Sequence, residues 1–214
     1  MVGFSPELRT GGLGRTGLLI LIAVVSAASA SIVQPAAAQS SAEMLEGPHV
    51  ALRYEYYPVK GDNAASVMNS LRERGPTARG ETYFGLTASE TGFSFQLVPT
   101  ASGCEIASLG VHTEIVVTLP KWDPPRQTPA VLVQQWKVFL DQLTRHELWH
   151  AQASRDGTDE TWASVRRMTG ASCRELDRKA KAEIERISKV VEQKNEDYDR
   201  ATDHGRRDGI VWRY

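Results

Sequence analysis

His146-Glu147-Leu148-Trp149-His150 reads H-E-x-x-H inside a stretch with helical spacing. On a helix, residues four apart lie one above the other on the same face, so both imidazoles can close on one metal ion. Glu147 then sits beside that ion without having to bind it. This is the layout in which zinc holds a water and a carboxylate takes its proton. The expected cofactor is therefore Zn2+, with His146 and His150 as ligands and Glu147 as the catalytic base. The competing reading, a wetted helix face with two unrelated histidines, sits poorly with the flanks. Leu132, Trp136, Phe139, Leu140 and Leu143 form an apolar stripe at spacings of three and four, and it runs on into His146 and His150. Two imidazoles carried into a core need a partner, and a metal supplies one.

The elements that must hold this helix follow from the same patterning. Val50 to Val59 is rich in β-branched and aromatic residues and predicts a strand. A short helix follows, with Val67, Met68 and Leu71 on its apolar face and Gly75-Pro76 ending it. Glu81–Thr87, Gly92–Pro99, Cys104–Val111 and Thr113–Leu119 predict short strands, giving an N-terminal antiparallel sheet of about four or five. Pro120 to Pro129 holds four prolines and predicts a loop, after which Thr128-Pro129 caps the H-E-x-x-H helix. That helix is expected to end near Gly157. A second should run from Asp159 to about Thr169, and a third from Ala171 to Tyr198 on the stripe Cys173, Leu176, Ala180, Ile184, Ile187, Val191 and Tyr198. The fold class is α+β: sheet first, then the metal helix and two further helices.

The chain has 214 residues, 41% of them hydrophobic, and a formal net charge of −1, which suits one domain with a proper core, placed at 50–214. Arg9 and Arg15 precede an apolar run from Gly17 through Ala28, and Ala36-Ala37-Ala38 offers a small-residue cleavage site. Residues 1–38 are expected to be a secretory signal peptide, with 39–49 a flexible lead-in. Removing Glu7, Arg9 and Arg15 takes the net charge from −1 to −2. Nothing in that balance points to nucleic acid, and no membrane span is expected once the leader is gone. Export to the periplasm or beyond makes the two cysteines informative. In an oxidising compartment Cys104 and Cys173 most simply form one disulfide.

Several further features carry a resemblance. They are Tyr56-Tyr57-Pro58-Val59-Lys60-Gly61, Arg74-Gly75-Pro76, Cys104, Leu119-Pro120-Lys121-Trp122, Trp136 through His150, Cys173, and the ending Tyr198-Asp199, Thr202, His204-Gly205. In that order they resemble a family of bacterial predicted secreted zinc-dependent proteases, otherwise classed as a domain of unknown function. The resemblance implies a zincin-like arrangement, a polypeptide substrate, and His204 as the third zinc ligand. Rivals for that third position are Asp156, Glu160 and Asp199, and Asp199 could instead orient a ligand histidine. Tyr198 or His112 is a candidate donor to the oxyanion. Thr113–Leu119 is the candidate strand edge along which a substrate would lie extended. Trp149 is expected to pack the helix, and Trp122, Trp162 and Trp212 to anchor core or loops. The alternative function is a non-catalytic envelope protein whose H-E-x-x-H binds zinc for structure, closed by His146, His150, His204 and Asp199, or serves as an interaction module.

Overall fold

The computed structural model describes residues 47–212. The expected leader and most of the lead-in fall outside that range. The elements are β1 (Gly47–Val59), α1 (Ala64–Arg74), β2 (Thr77–Ala78), β3 (Glu81–Thr82), β4 (Leu86–Thr100), β5 (Gly103–Trp122), α2 (Ala130–Val165), β6 (Thr169–Gly170) and α3 (Cys173–Thr202). The fold is α+β, as the patterning predicts, with two corrections to how the elements are cut and joined.

The first concerns the sheet, which is mixed rather than antiparallel. Its order is β1-β5-β4, with β6 on β5; β4 and β5 form a long antiparallel hairpin, while β1 lies parallel to β5 on its other side. A parallel neighbour needs a crossover, and the stretch from α1 through β4 provides it. The short strands expected on either side of Gly92 and of His112 are two long ones. Pro120 is accommodated inside β5 because β4 stops pairing at Thr118, so its missing N–H breaks no ladder on that side.

The second concerns α2, which does not stop at Gly157. It runs 36 residues, Ala130–Val165, and absorbs the helix expected from Asp159 onward. Gly157 is buried, and a Cβ there would lie 2.4 Å from Val191 Cγ2. The glycine lets α2 and α3 approach closely instead of ending the helix. Thr128 does not cap this helix; Pro129 occupies the cap position with no side-chain bond.

The apolar stripe falls where the spacing puts it: Leu132, Trp136, Phe139, Leu143, His146 and His150 are all buried. The front half packs with Ile115, Val117 and Leu119 of β5, with α1, and with Trp122, Ile210 and Trp212. Trp136 and Phe139 both meet Trp212 edge-on, at 5.9 and 5.5 Å between ring centres. Trp122 and Trp212 donate their ring N–H groups to Gly61 and Ala64 carbonyls, so both serve as anchors. A second core gathers Leu109, Val111, Val165, Ala180 and Ile184. Between the two, α2 meets the sheet through hydroxyls. Thr87 bonds Glu147, Ser154 donates to Ser89, and Thr113 shares a 2.6 Å bond with Thr158. These buried bonds fix how far α2 slides along the sheet, and so where the motif sits.

Cys104 and Cys173 form a disulfide across 69 residues, joining β5 to the start of α3 beside the β5–β6 pairing. In the chain-entropy picture a loop of this size contributes roughly 4 kcal/mol. Replacing both cysteines by serine is expected to lower the unfolding free energy by about 2–4 kcal/mol, measured by urea denaturation. An unchanged midpoint would contradict this.

Candidate metal centre

Three side chains from two helices converge behind the sheet. α2 supplies His146 and His150, one turn apart; α3, crossing it at Gly157, supplies Asp199. His146 Nε2 lies 3.2 Å from Asp199 Oδ1, His150 Nε2 lies 3.1 Å from the same oxygen, and the two Nε2 atoms are 3.3 Å apart. The histidines are 1% exposed and Asp199 5%. Among the described residues this is the only group of three or more such ligand atoms lying within 4.8 Å of one another.

The tautomers identify what these atoms are for. His150 Nδ1–H donates to Asn195 Oδ1 at 2.7 Å, and Asn195 is oriented by its own Nδ2–H donating to the Val191 carbonyl. His146 Nδ1 faces the Asp208 carboxylate at 3.5 Å. With protons on both Nδ1 atoms, two bare nitrogens and a carboxylate oxygen point at one place. Three lone-pair donors repel unless a cation lies between them. A tetrahedral ion with bonds of about 2.0–2.1 Å spaces its ligand atoms roughly 3.3 Å apart, close to the triangle observed. The donor set fits a divalent metal.

With no ion bound, protons on Nε2 would take the cation's place. Burial opposes charge on Asp199, yet hydrogen bonds from imidazoles protonated in that way hold the carboxyl well below the usual carboxylate range. Burial likewise opposes charge on His150, but Asp199 and Glu147 carry it above the ordinary histidine value. The site is built to hold positive charge.

Glu147 lies against this triangle and is fully buried. Thr87 Oγ1 donates to its Oε2 at 2.9 Å, whereas Oε1 has no partner. Burial pushes its carboxyl above the ordinary value, against the pull of His150 and His146. Gly85 packs against Oε1: a Cβ there would lie 2.7 Å from it. The segment before β4 is held there by the Tyr57 hydroxyl, which donates to the Phe84 carbonyl at 2.7 Å. Gly85→Ala is expected to displace the Glu147 side chain and lower the thermal midpoint, with an overpacking cost of about 1–3 kcal/mol. Calorimetry showing wild-type stability would exclude that crowding.

A cleft of about 280 Å³ opens at this point, with Phe84, Gly85, His146, Glu147, His204 and Arg206 among its walls. Gly85 leads directly into β4, whose outer edge pairs with no other strand among the described residues. Thr113–Leu119, the expected edge, instead lies in β5 between β1 and β4.

The other sequence candidates fall as follows. His204 lines the cleft but is outside the triangle. Asp156 bonds Gln152 and Glu160 pairs with Arg186, both on the exposed side of α2; an unbroken helix through Gly157 carries them away from the triangle. Tyr198 stacks between Trp149 and His146, at 3.8 and 4.9 Å between centres, and donates its hydroxyl to Asp208. Trp149 packs on Tyr198, as expected of it, while 37% exposed. His112 pairs with Glu114 on the far stretch of β5. Asn195, Thr87 and Asp208 carry no signal as single residues. Asn195 and Asp199, however, continue the buried α3 seam past Val191 at spacings of four, where an apolar residue would be expected; that polar turn in the stripe is the signal.

A family model described as "Bacterial protein of unknown function (DUF922)" matches residues 54–205. No curated protein and no solved structure matches the chain.

Proposed function

The chain belongs to the DUF922 family of bacterial proteins of unknown function, and from that premise we propose that it is a zinc-dependent peptidase of the periplasm or extracellular space. The observation that carries the reading is Glu147 Oε1: a buried carboxylate oxygen without a partner, at the cleft wall, next to a triangle of metal-ligand atoms. His146, His150 and Asp199 would hold the ion, which replaces His204 by Asp199 as the third ligand. When bound, zinc supplies a Lewis acid that brings the pKa of water toward about 7 and polarises a carbonyl.

The chain's own residues do the rest. Thr87 fixes Oε2 and leaves Oε1 to accept a proton from the attacking water. A carboxyl raised by burial holds that proton long enough to return it to the departing amine nitrogen. An extended peptide would run along the free edge of β4 beside the cleft, pairing by main-chain bonds. A closed structural site would normally need a fourth protein ligand, and His204, the residue expected to provide it, lies outside the triangle. Location outside the cytoplasm is supported by the disulfide. Among the described residues no helix is long and apolar enough to cross a membrane.

The test is metal analysis joined to cleavage of an unstructured protein, with and without a chelator. Stoichiometric zinc and chelator-sensitive cleavage are expected. Bound zinc with no cleavage across varied substrates would move the assignment to a structural site.

A further inference from the structure

The turn after α3 presents an imidazole that the metal triangle does not use. Asp203, His204 and Gly205 have φ values of 51°, 53° and 80°. Two successive non-glycine residues in the left-handed region cost energy, and such strain persists where the surroundings impose it, often at functional sites. Here the His204 N–H donates to the Asp199 carbonyl at 2.7 Å, and the Gly205 N–H donates to Thr202 Oγ1 at 3.1 Å. Glycine suits position 205 because φ there is 80°, and a Cβ would also crowd Ile210 Cδ1 at 2.3 Å. The strained turn therefore ties the His204 backbone to the same residue that supplies the third ligand.

The side chain lines the cleft with Glu147 and Gly85, and its Nδ1 is buried with no hydrogen-bond partner. A buried ring nitrogen left unpaired calls for an explanation. The two donors expected from the sequence for this side of the reaction are engaged elsewhere: Tyr198 with Asp208 and His112 with Glu114. We infer that His204 is a catalytic residue of the proposed peptidase, a neutral imidazole whose ring N–H donates to the substrate carbonyl oxygen as that oxygen becomes an oxyanion. The inference rests on the hydrolase reading above. As the water oxygen bonds to the carbonyl carbon, the carbonyl π pair moves onto oxygen and is held by the His204 N–H. When the pair returns, the C–N bond breaks and the amine leaves with the proton from Glu147. His204 ends the cycle unchanged.

The experiment uses His204→Asn, since asparagine tolerates the left-handed backbone, and His204→Gly, which relieves the strain and leaves room for free imidazole. Zinc affinity is measured by competition with a chromophoric chelator, cleavage on an internally quenched peptide, and binding of a phosphinic peptide that mimics the tetrahedral intermediate. Both variants are expected to keep wild-type zinc affinity and KM, with kcat down by about 10²–10³-fold. Phosphinic-peptide affinity should fall in parallel, and imidazole should restore part of the rate to His204→Gly. Loss of zinc from both variants makes His204 a ligand and overturns the inference. Unchanged kcat, or unchanged phosphinic-peptide binding in a preparation that cleaves no peptide, overturns it too. Two controls separate the levels: if wild type shows no chelator-sensitive cleavage, or Glu147→Gln still cleaves at the wild-type rate, the zinc-and-Glu147 hydrolase reading fails, whereas if Glu147→Gln is dead while His204→Asn is fully active only the role of His204 fails.

Discussion

Replacing Glu147 by glutamine is expected to cut peptide hydrolysis by about 10²–10⁴-fold while zinc and fold stay intact. The side chain keeps its shape, and an amide oxygen can still accept the Thr87 hydroxyl at the Oε2 position. What disappears is the ability to take a proton at Oε1. The stability consequence has a definite sign. Burial raises the Glu147 carboxyl above its ordinary value, so the native state binds this proton more tightly than the unfolded chain does. That penalises the native state at pH above the raised value and is relieved as pH falls through it. A neutral amide removes the penalty, so the metal-free variant at neutral pH should melt no lower than metal-free wild type. Metal content, peptide cleavage and a thermal scan on the same preparations check all three points. A variant that has lost its zinc would show Glu147 to be part of the ligand set.

Asp199→Ala is expected to abolish stoichiometric zinc. Removing it leaves two imidazoles and no anionic ligand, a far larger loss than that of an outer hydrogen-bond partner. For comparison, Asn195→Ala should weaken zinc by about 10–100-fold through the freed His150 ring. Asp156→Ala and Glu160→Ala should retain full zinc, since both side chains lie on the wet face of α2. Metal content after desalting, followed by chelator competition, separates these classes. Full zinc in Asp199→Ala together with loss in His204→Asn would return the third position to His204.

How much of this is legible in the chain depends on the range over which each residue acts. His146, Glu147 and His150 lie within one helical turn and a half, and their own stripe declares the buried face, so spacing suffices. The cysteine pair is legible because there are only two. Asp199 is legible only as one candidate of several. Its selection depends on α3 crossing α2 at Gly157, where Val191 fills the space a Cβ would occupy. The same glycine reads locally as a breaker, which is why one long helix looks like two. Pro120 misleads in the same way: its tolerance depends on where a neighbouring strand stops pairing. The direction of β1 is likewise a property of the crossover and leaves no mark on the strand itself.

The length of α2 has one more consequence. At 36 residues it is a rod of roughly 54 Å, with one apolar cluster gripping its first half, the other gripping its last residues, and the metal triangle near the middle. Neither cluster can come apart without tugging the shared shaft, and an ion held by His146, His150 and Asp199 would clamp that shaft to α3 at its least apolar stretch. If the proposed site is filled, metal supply would decide the survival of the whole molecule: metal-free copies would be weakest at the waist and first to be cleared by proteases, whereas loaded copies would melt as one unit.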